Sequence, residues 1–414
     1  MRIQRLGDLG GFPAVLRAVA AATTREGLAP PAALSGDWFG SSAVIAPSLR
    51  ADECAPERVF DVAPAHHPSA VGGGWIGHLS YPDGAGARVP VAAGGWTDCV
   101  LRQDLDGVWW FEDLTGAHLP DWLADAVHTP APPAPWHLDW TAPDRAAHEA
   151  GVLACLAAIA SGEVYQACVC THFTGVLDGD PLQFFADAVG RTSPARAAFV
   201  AGDWGAVASL SPELFLRRRG EAVWSSPIKG TLPLHEDPAL LRRSVKDVAE
   251  NVMIVDLVRN DLGRVATIGS VRVPELLTVQ PAPGVWHLVS TVTADVPAAL
   301  PNSALLAATF PPASVTGTPK LRARELLSRW EPHRRGVYCG TVGLASPVAG
   351  TELNVAIRTV EFDASGHAVL GVGGGITADS DPAAEWDECL HKAAPTVGLR
   401  HSRDVGAPDF TTAS

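Results

Sequence analysis

The chain has 414 residues, of which 47% are hydrophobic and 18% are charged, so it is long enough to bury one large core or two packed lobes. Its formal net charge of −14 argues against binding to nucleic acid or to an anionic membrane surface, because both depend on clustered Lys and Arg. A small anionic substrate would need local basic residues or a divalent cation.

Targeting and redox signals are absent from the sequence. The N-terminus lacks the apolar run of a signal peptide, and no stretch approaches about 18 uninterrupted apolar residues. The sequence therefore predicts a cytoplasmic protein without a membrane span. Seven cysteines are scattered without a C-x-x-C motif, and we expect them to be reduced and mostly buried.

The first part of the chain predicts one helix followed by strands. In residues 11–27 apolar side chains recur at helical spacing. Segments 72–81 and 107–114 mix aromatic residues with glycine turns, which is typical of antiparallel strands. We therefore predict an N-terminal lobe over residues 1–127 that contributes to the sheets. The proline-dense segment 128–137 predicts an extended connector.

Residues 138–403 predict a mixed α and β region that carries the chemistry. Alternating, β-branched runs such as "HAVLGVGGGIT" and "ELNVAIRTVEF" predict strands, separated by turn-sized gaps that favour antiparallel sheets. Helical patterns are found in "SVKDVAENVMIVDLVRNDL" and "PKLRARELLSRW". The last residues, 404–414, predict a frayed tail.

Two acidic pairs lie in segments that predict helices, Asp247 with Glu250 and Glu385 with Glu388. Residues three apart on a helix share a face, so each pair projects two carboxylates together. Such pairs suit Mg²⁺, which takes one or two protein carboxylates and completes its shell with water or substrate oxygens. Spacing alone also fits two solvated helix faces, which are more common.

Lys229 lies between Ile228 and Gly230 in a segment that predicts a strand and a turn. A lysine held in an apolar pocket has a lowered pKa and can act as a nucleophile, although a lone lysine is more often a surface residue. Arg358 alternates with apolar neighbours, which predicts that it points from a sheet face into a polar cavity and binds a carboxylate. A structural ion pair is the alternative for this arginine.

The glycine-dense segment 371–377 ends a predicted strand and allows the backbone to approach a ligand closely. A purely structural turn is the more common meaning of such a segment. After it, Asp381 predicts a helix N-cap with Pro382 at the first helical position.

Eight motifs occur in an order that resembles the chorismate-utilising enzymes, a family that includes anthranilate, aminodeoxychorismate, isochorismate and salicylate synthases. The resemblance covers roughly residues 144–395. It implies an α+β fold in which two antiparallel β-sheets pack as a sandwich with helices on the outside, and a chorismate site between the sheets. The motifs are "SPELFL", "PIKGT", "VAENVMIVDLVRNDLGRV", "WHLVSTV", "FPPASVTGTPKLRA", "RRGVYCGTVG", "LNVAIRT" and "GGGITADSDPAAEWDECLHKA".

The resemblance also implies roles for individual residues. Glu250 and Glu388 match Mg²⁺ ligands, whereas Asp247 and Glu385 match residues that support the metal through water. The resemblance implies that Arg358 and Tyr338 bind the enolpyruvyl carboxylate of chorismate. The other substrate positions implied by the family are Thr231, His287, Ser314, Lys320, Gly373 and Gly375.

At two positions the sequence resembles component I of the aminodeoxychorismate synthases more than it resembles the other enzymes of the family. Where isochorismate and salicylate synthases carry a lysine that activates water, this chain has Gln166, which cannot act as that base. Where anthranilate synthases have alanine, it has Lys229. The resemblance implies that Lys229 is a covalent nucleophile, that Glu213 is the general acid, and that chorismate is aminated at C4.

The family resemblance also implies a source of ammonia and leaves two alternative functions open. No cysteine lies in a glutaminase motif, so ammonia is expected from a separate glutamine amidotransferase subunit. The alternatives are an anthranilate synthase component I and a chorismate-binding regulatory module without activity. Because chorismate carries two negative charges, the four carboxylates are expected to repel it unless Mg²⁺ is bound. We therefore expect metal and substrate to bind with positive coupling.

Overall fold

The computed structural model describes residues 1–63, 70–84 and 88–399, and the predicted tail at 404–414 lies outside these ranges. Its strands, in chain order, are β1 (Arg2–Gly7), β2 (Ala32–Trp38), β3 (Ser41–Ala46), β4 (Asp52–Glu53), β5 (Gly74–Leu79), β6 (Ala92–Thr97), β7 (Cys99–Gln103), β8 (Trp109–Asp113), β9 (His137–Thr141), β10 (Gln166–Asp178), β11 (Arg196–Gly202), β12 (Gly205–Ser211), β13 (Leu214–Arg219), β14 (Ala222–Ser226), β15 (Ile228–Pro233), β16 (Arg272–Ala282), β17 (Val285–Asp295), β18 (Gly317–Thr318), β19 (Thr341–Ser346), β20 (Gly350–Asn354), β21 (Thr359–Asp363) and β22 (His367–Ile376).

The helices accompany these strands and lie mainly on the outside of the sheets. None of those in the described ranges is long and apolar enough to cross a membrane. They are α1 (Phe12–Glu26), α2 (Asp121–His128), α3 (Arg145–Ala160), α4 (Pro181–Thr192), α5 (Ala239–Arg243), α6 (Val245–Gly263), α7 (Asn302–Thr309), α8 (Lys320–Trp330) and α9 (Pro382–Val397).

Two antiparallel sheets form the sandwich, which confirms the predicted α+β class. The larger sheet has the order β1-β8-β7-β3-β2-β11-β12-β21-β22-β10-β18, with β9 also paired to β10. The smaller has the order β15-β17-β14-β13-β20-β19-β5-β6-β4, with β16 also paired to β17. Strands from the first third of the chain therefore lie in both sheets, and β2 pairs directly with β11 from the later part.

Strand β11 is covered on both faces, which explains its apolar sequence. Its Ala197 and Phe199 face outward and pack beneath the helices, where the rings of Phe199 and Phe185 have centroids 5.3 Å apart. Its Ala198 and Val200 face inward and pack against the smaller sheet. Alternate residues of a strand point to opposite faces, so a strand covered on both sides is apolar at nearly every position.

Local signals set the helix ends as predicted. The helix expected in residues 11–27 is α1, and it ends at Gly27, whose φ of 66° is the left-handed conformation common after helices. Helix α9 begins at the predicted cap, because the Asp381 side chain accepts a hydrogen bond from the Ala384 N–H and Pro382 takes the first helical position.

The chain crosses between the two sheets at adjacent places. Strand β12 belongs to the larger sheet and β13 to the smaller, so residues 212–213 connect them. Residues 355–358 make the reverse crossing from β20 to β21. The Val355 N–H donates to the Glu213 carbonyl at 3.0 Å, which ties the two crossings together.

The alternating run around Arg358 predicts a strand that presents this residue from a sheet face, and that prediction is wrong. Strand β20 ends at Asn354 and β21 begins at Thr359, because the chain changes sheets between them. Arg358 lies in the bend with a φ of 50°, which is uncommon for a residue with a Cβ. The Arg358 side chain is therefore attached to the segment that crosses between the two sheets, and not to a strand.

Candidate active site

Helix α6 presents the first acidic pair near its N-terminus. The Ser244 hydroxyl caps the helix by accepting a hydrogen bond from the Asp247 N–H at 3.2 Å. Glu250 follows one turn later on the face that also buries Ile254. Unpaired backbone N–H groups at a helix start favour a carboxylate in the first turn, which is where Asp247 lies.

Helix α9 presents the second acidic pair. Glu385 is buried in its first turn, where the Ser380 hydroxyl donates to Glu385 Oε1 at 2.6 Å. The other oxygen, Oε2, has no hydrogen-bond partner among the described residues. Glu388 lies one turn later with 43% of its side chain exposed. A buried carboxylate oxygen without a donor is available to a bound cation or water.

Glycines at the end of β22 let the two pairs approach. A Cβ placed on Gly374 would lie 2.9 Å from Glu385 Oε2 and 3.9 Å from Glu388 Oε1. A Cβ on Gly375 would lie 3.0 Å from Glu250 Oε2. Successive residues of a strand face opposite ways, so Glu385 and Glu388 reach the strand end from one side and Glu250 from the other. Larger residues here would fill the space between the carboxylates.

Three lysines lie among these carboxylates. No three Asp, Glu, His or Cys side chains in the described part of the chain form a ready metal site, and ammonium groups stand where a cation would be expected. The closest contacts are Lys229 Nζ to Glu250 Oε2 at 3.5 Å, Lys246 Nζ to Glu385 Oε1 at 2.7 Å, and Lys392 Nζ to Glu388 Oε1 at 2.7 Å.

The lysine on strand β15 does not have the pKa that its apolar neighbours predict. Burial is the largest single influence and lowers the pKa of Lys229, but the combined attraction of neighbouring acidic groups, Glu250 foremost, outweighs it, and the pKa is raised overall. The prediction of a lowered pKa is therefore wrong for these residues alone, because the sequence does not show that Glu250 lies beside it. Any cation that binds Glu250 would weaken this attraction and favour the free amine.

Glu213 lies at the first crossing between the sheets and is 3% exposed. The Ile228 N–H donates to its Oε1 at 3.4 Å, which places the carboxyl beside the strand that carries Lys229. Burial raises the pKa of Glu213 to about 7, and the charge of Lys229 opposes part of this shift. A carboxyl group with this pKa can donate a proton near neutral pH.

Glu213 and Ser314 line one small cavity beneath the site. Its volume is about 10 Å³, which is enough for about one water molecule. Ser314, which the family resemblance implies to be a substrate position, therefore lies in the same cavity as Glu213.

Arg358 faces strands β15 and β17, where Thr231 pairs with His287. The Thr231 hydroxyl and His287 Nδ1 are 3.0 Å apart. Burial lowers the pKa of His287 to about 4, and the charge of Arg358 acts in the same direction. Burial alone lowers the pKa of Arg358, and no carboxylate in the described ranges forms an ion pair with it. A half-buried guanidinium without a counter-charge is suited to binding an anionic ligand.

Tyr338 is positioned by a buried acid that the sequence analysis did not identify. The N–H groups of Val337 and Tyr338 donate to Glu361 Oε1 at 2.7 and 3.3 Å. The Tyr338 ring lies over Gly371, where any Cβ would overlap it. Glu361 lies between apolar residues of β21. An acidic residue in an apolar strand was the sequence signal that could have identified it as a buried, functional group.

Lys320, which the family resemblance implies to be a substrate contact, is engaged elsewhere. Its ammonium pairs with Asp261 and donates to the carbonyls of Thr309 and Pro311 at 3.0 and 2.8 Å. An ammonium has three N–H donors, so none remains for a substrate. In this structure Lys320 holds the loop that follows α7.

Sequence reasoning also missed two lysines of the acidic cluster. Lys392 follows Glu388 by four residues on α9, a spacing that predicts an ion pair. Lys246 contacts Glu385 across a sequence separation of 139 residues, and no local pattern shows that contact.

The acidic cluster fits Mg²⁺ even though lysines are interleaved with it. Mg²⁺ needs only one or two protein carboxylates, with water or substrate oxygens completing its octahedron. The partnerless Glu385 Oε2 supplies an oxygen, and the absence of side chains at Gly374 and Gly375 lets the carboxylates approach the strand end. Glu250 and Glu388 flank the same strand end.

Comparisons with known proteins show which family the chain resembles. A family model described as chorismate binding enzyme matches residues 109–398. Aminodeoxychorismate synthase component 1 from Klebsiella aerogenes is 48% identical over 239 residues, which are 56% of this chain and 53% of that protein. An anthranilate synthase component I-like protein from Synechocystis sp. is 32% identical over 347 residues, 78% of this chain and 71% of that protein.

A solved structure extends the similarity to three dimensions. Anthranilate synthase component I from Streptococcus pneumoniae TIGR4 has a TM-score of 0.70 and 26% identity, over 84% of this chain and 86% of that chain. The chain spans about half the length of the aminodeoxychorismate synthases from Klebsiella aerogenes and Escherichia coli that it matches.

Proposed function

Because the chain belongs to the chorismate binding enzyme family, we propose that it replaces the C4 hydroxyl of chorismate with an amino group from ammonia, giving 4-amino-4-deoxychorismate. The observation that carries this proposal is Lys229, whose ammonium lies beside Glu250 at the edge of the acidic cluster. Gln166, buried on β10, stands where related isochorismate-forming enzymes would have a basic lysine, and an amide cannot activate water.

The names of the relatives support both the reaction and a partner. Two of them are called component 1 of aminodeoxychorismate synthase, which supports a second component that supplies ammonia. We propose that this second component is a glutaminase. The product keeps the enolpyruvyl ether, so a separate lyase would be required to form p-aminobenzoate, for folate or for a secondary metabolite.

In the proposed mechanism, Arg358 and Tyr338 hold the enolpyruvyl carboxylate, and the ring lies toward the acidic cluster. Glu213 donates a proton to the C4 oxygen, which leaves as water, while the Lys229 amine forms a bond to C2 and the ring double bonds shift. Ammonia then bonds to C4, the double bonds shift back, and the Lys229 amine leaves. The net change is ammonia consumed and one water released.

The metal belongs to the same proposal. Glu250 and Glu388 would hold Mg²⁺ directly, while Asp247 and Glu385 would support it. When bound there, Mg²⁺ would neutralise the ring carboxylate of chorismate and favour addition at C2. The backbone of Gly373 to Gly375 would lie alongside, because no side chain there separates ligand from strand.

One product assay tests the function. The purified chain is incubated with chorismate, Mg²⁺ and ammonium, and the products are separated by chromatography with and without an added lyase. We expect p-aminobenzoate only when the lyase is present, and no pyruvate before it is added. Anthranilate with pyruvate would instead indicate an anthranilate synthase, and unchanged chorismate would indicate a binding module without activity.

The nitrogen source gives a second prediction. We expect the chain alone to turn over with ammonium but not with glutamine, because no cysteine lies in a glutaminase motif. Adding a glutaminase subunit should create glutamine-dependent turnover. Glutamine-driven amination by the purified chain alone would contradict the proposed division of labour.

The pKa of Glu213 predicts a pH dependence. Only the protonated carboxyl can protonate the leaving hydroxyl, so kcat should fall as pH rises through about 7, by about tenfold per pH unit above it. Glu213→Gln should lower kcat and abolish this alkaline limb, since an amide does not titrate. A Gln variant that retained the same limb would assign the titration to another group.

A further inference from the structure

The chain contains only four lysines, although Lys and Arg together number 31. Three of the four place their ammonium groups in the acidic cluster, and the fourth, Lys320, pairs with Asp261. Arginine is used almost everywhere else. A lysine is a compact point charge on a flexible stem, whereas arginine forms rigid two-pronged pairs with carboxylates. Lysine is therefore the better choice where a cation must be displaced.

Lys246 and its partner differ sharply in freedom of movement. Lys246 Nζ lies 2.7 Å from Glu385 Oε1 and 3.8 Å from Glu388 Oε2, so it links the second acidic pair. The Lys246 side chain is 37% exposed, but that of Glu385 is 2% exposed and is also held by Ser380. The lysine can move into solvent, whereas the carboxylate cannot follow it.

The Lys392 side chain is 40% exposed, but one more contact holds it in place. Its ammonium donates to the Gly373 carbonyl at 2.8 Å as well as pairing with Glu388, four residues earlier on the same helix. Breaking these contacts would also leave a backbone carbonyl without its donor. Of the two lysines on the second acidic pair, Lys246 is the one that can be exchanged.

We propose that Lys246 is an internal cation that competes with Mg²⁺ for the Glu385 and Glu388 carboxylates and swings into solvent when the metal binds. The inference rests on the proposed function, because that function assigns Mg²⁺ to this cluster. Lys246 belongs to α6 and its carboxylates to α9, so the exchange would take place where these two helices meet.

The same lysine sets the charge that an incoming anion encounters. The four carboxylates face three ammonium groups, which leaves a formal charge of −1 when all are ionised. Without Lys246 the charge would be −2. A dianion such as chorismate would then bind less well in the absence of metal, while a divalent cation would bind better. The two effects have opposite signs.

Titrating the full chain by calorimetry tests the inference without any turnover. For Lys246→Met, we expect Mg²⁺ to bind about 5-fold more tightly than to the wild type without chorismate, the scale expected for loss of one partly exposed ion pair. Chorismate without Mg²⁺ should bind more weakly to the same variant. Lys246→Arg keeps the charge, so its Mg²⁺ affinity should not exceed that of the wild type.

The outcomes separate the inference from the function on which it rests. Equal or weaker Mg²⁺ binding by Lys246→Met, with measurable binding by the wild type, would overturn the competitor role and leave the metal site standing. No Mg²⁺ binding by either protein, with or without chorismate, would overturn both. A loss of folding would affect Mg²⁺ and chorismate in the same direction, which the expected opposite changes exclude.

Discussion

Replacing Lys229 by alanine is expected to lower kcat for C4 amination by at least about 10³-fold while chorismate still binds, because the variant lacks the amine that is proposed to bond to C2. Any remaining turnover should shift toward attack of ammonia at C2. The variant also loses the ion pair with Glu250. Rates and products are measured by chromatography at saturating ammonium, and chorismate binding by calorimetry.

Lys229→Arg is the matched control, since it keeps the positive charge beside Glu250 but cannot supply a free amine. We expect it to be as inactive as the alanine variant. If the arginine variant were active, the charge and not the nucleophile would be what matters. Unchanged 4-amination by Lys229→Ala would rule out the covalent role.

Glu250→Gln should remove most of the Mg²⁺ dependence and lower activity by about 100-fold or more, because a proposed direct ligand is exchanged for a neutral group of the same shape. Asp247→Asn, one turn earlier on the same helix, is the control. Its contact is proposed to run through water, and we expect a loss of about 10-fold to 100-fold, as is usual for supporting residues. The fold should survive both changes.

Calorimetry provides the decisive measurement for the metal. Chorismate should bind wild type more tightly with Mg²⁺ than without it, by a factor within the usual range of about 5-fold to 150-fold, and Mg²⁺ should respond to chorismate by the same factor. Glu250→Gln should lose this coupling. Identical chorismate affinities in both conditions would contradict the proposed metal bridge at these carboxylates.

The sequence predicted best where one signal was local and strong. The helix that ends at Gly27 and the cap at Asp381 depend on neighbours within one turn. The family resemblance also held, because its motifs are ordered along the chain and the family model covers residues 109–398. From that resemblance came the sandwich of two antiparallel sheets, which no local pattern specifies.

The sequence failed where distant segments meet. The apolar residues Val355 to Ile357 read as a continued strand, so nothing local shows that the chain changes sheets before Arg358. Nor does anything local show that Lys246 lies among the carboxylates, where it and Lys392 balance part of their charge. Both features arise from tertiary contacts.

The site is assembled from one fixed side and one movable side. Glu213 and Arg358 lie on crossings that are anchored in both sheets, so their separation is set by the sandwich itself. Lys229 lies on β15, the outermost strand of the smaller sheet, which is paired on one side only and followed by the short helix α5. Segments with fewer packed neighbours open at a lower free energy. Admission of substrate and release of product are therefore expected to proceed by outward movement of this edge, which would carry the proposed nucleophile away while Glu213 and Arg358 keep their positions.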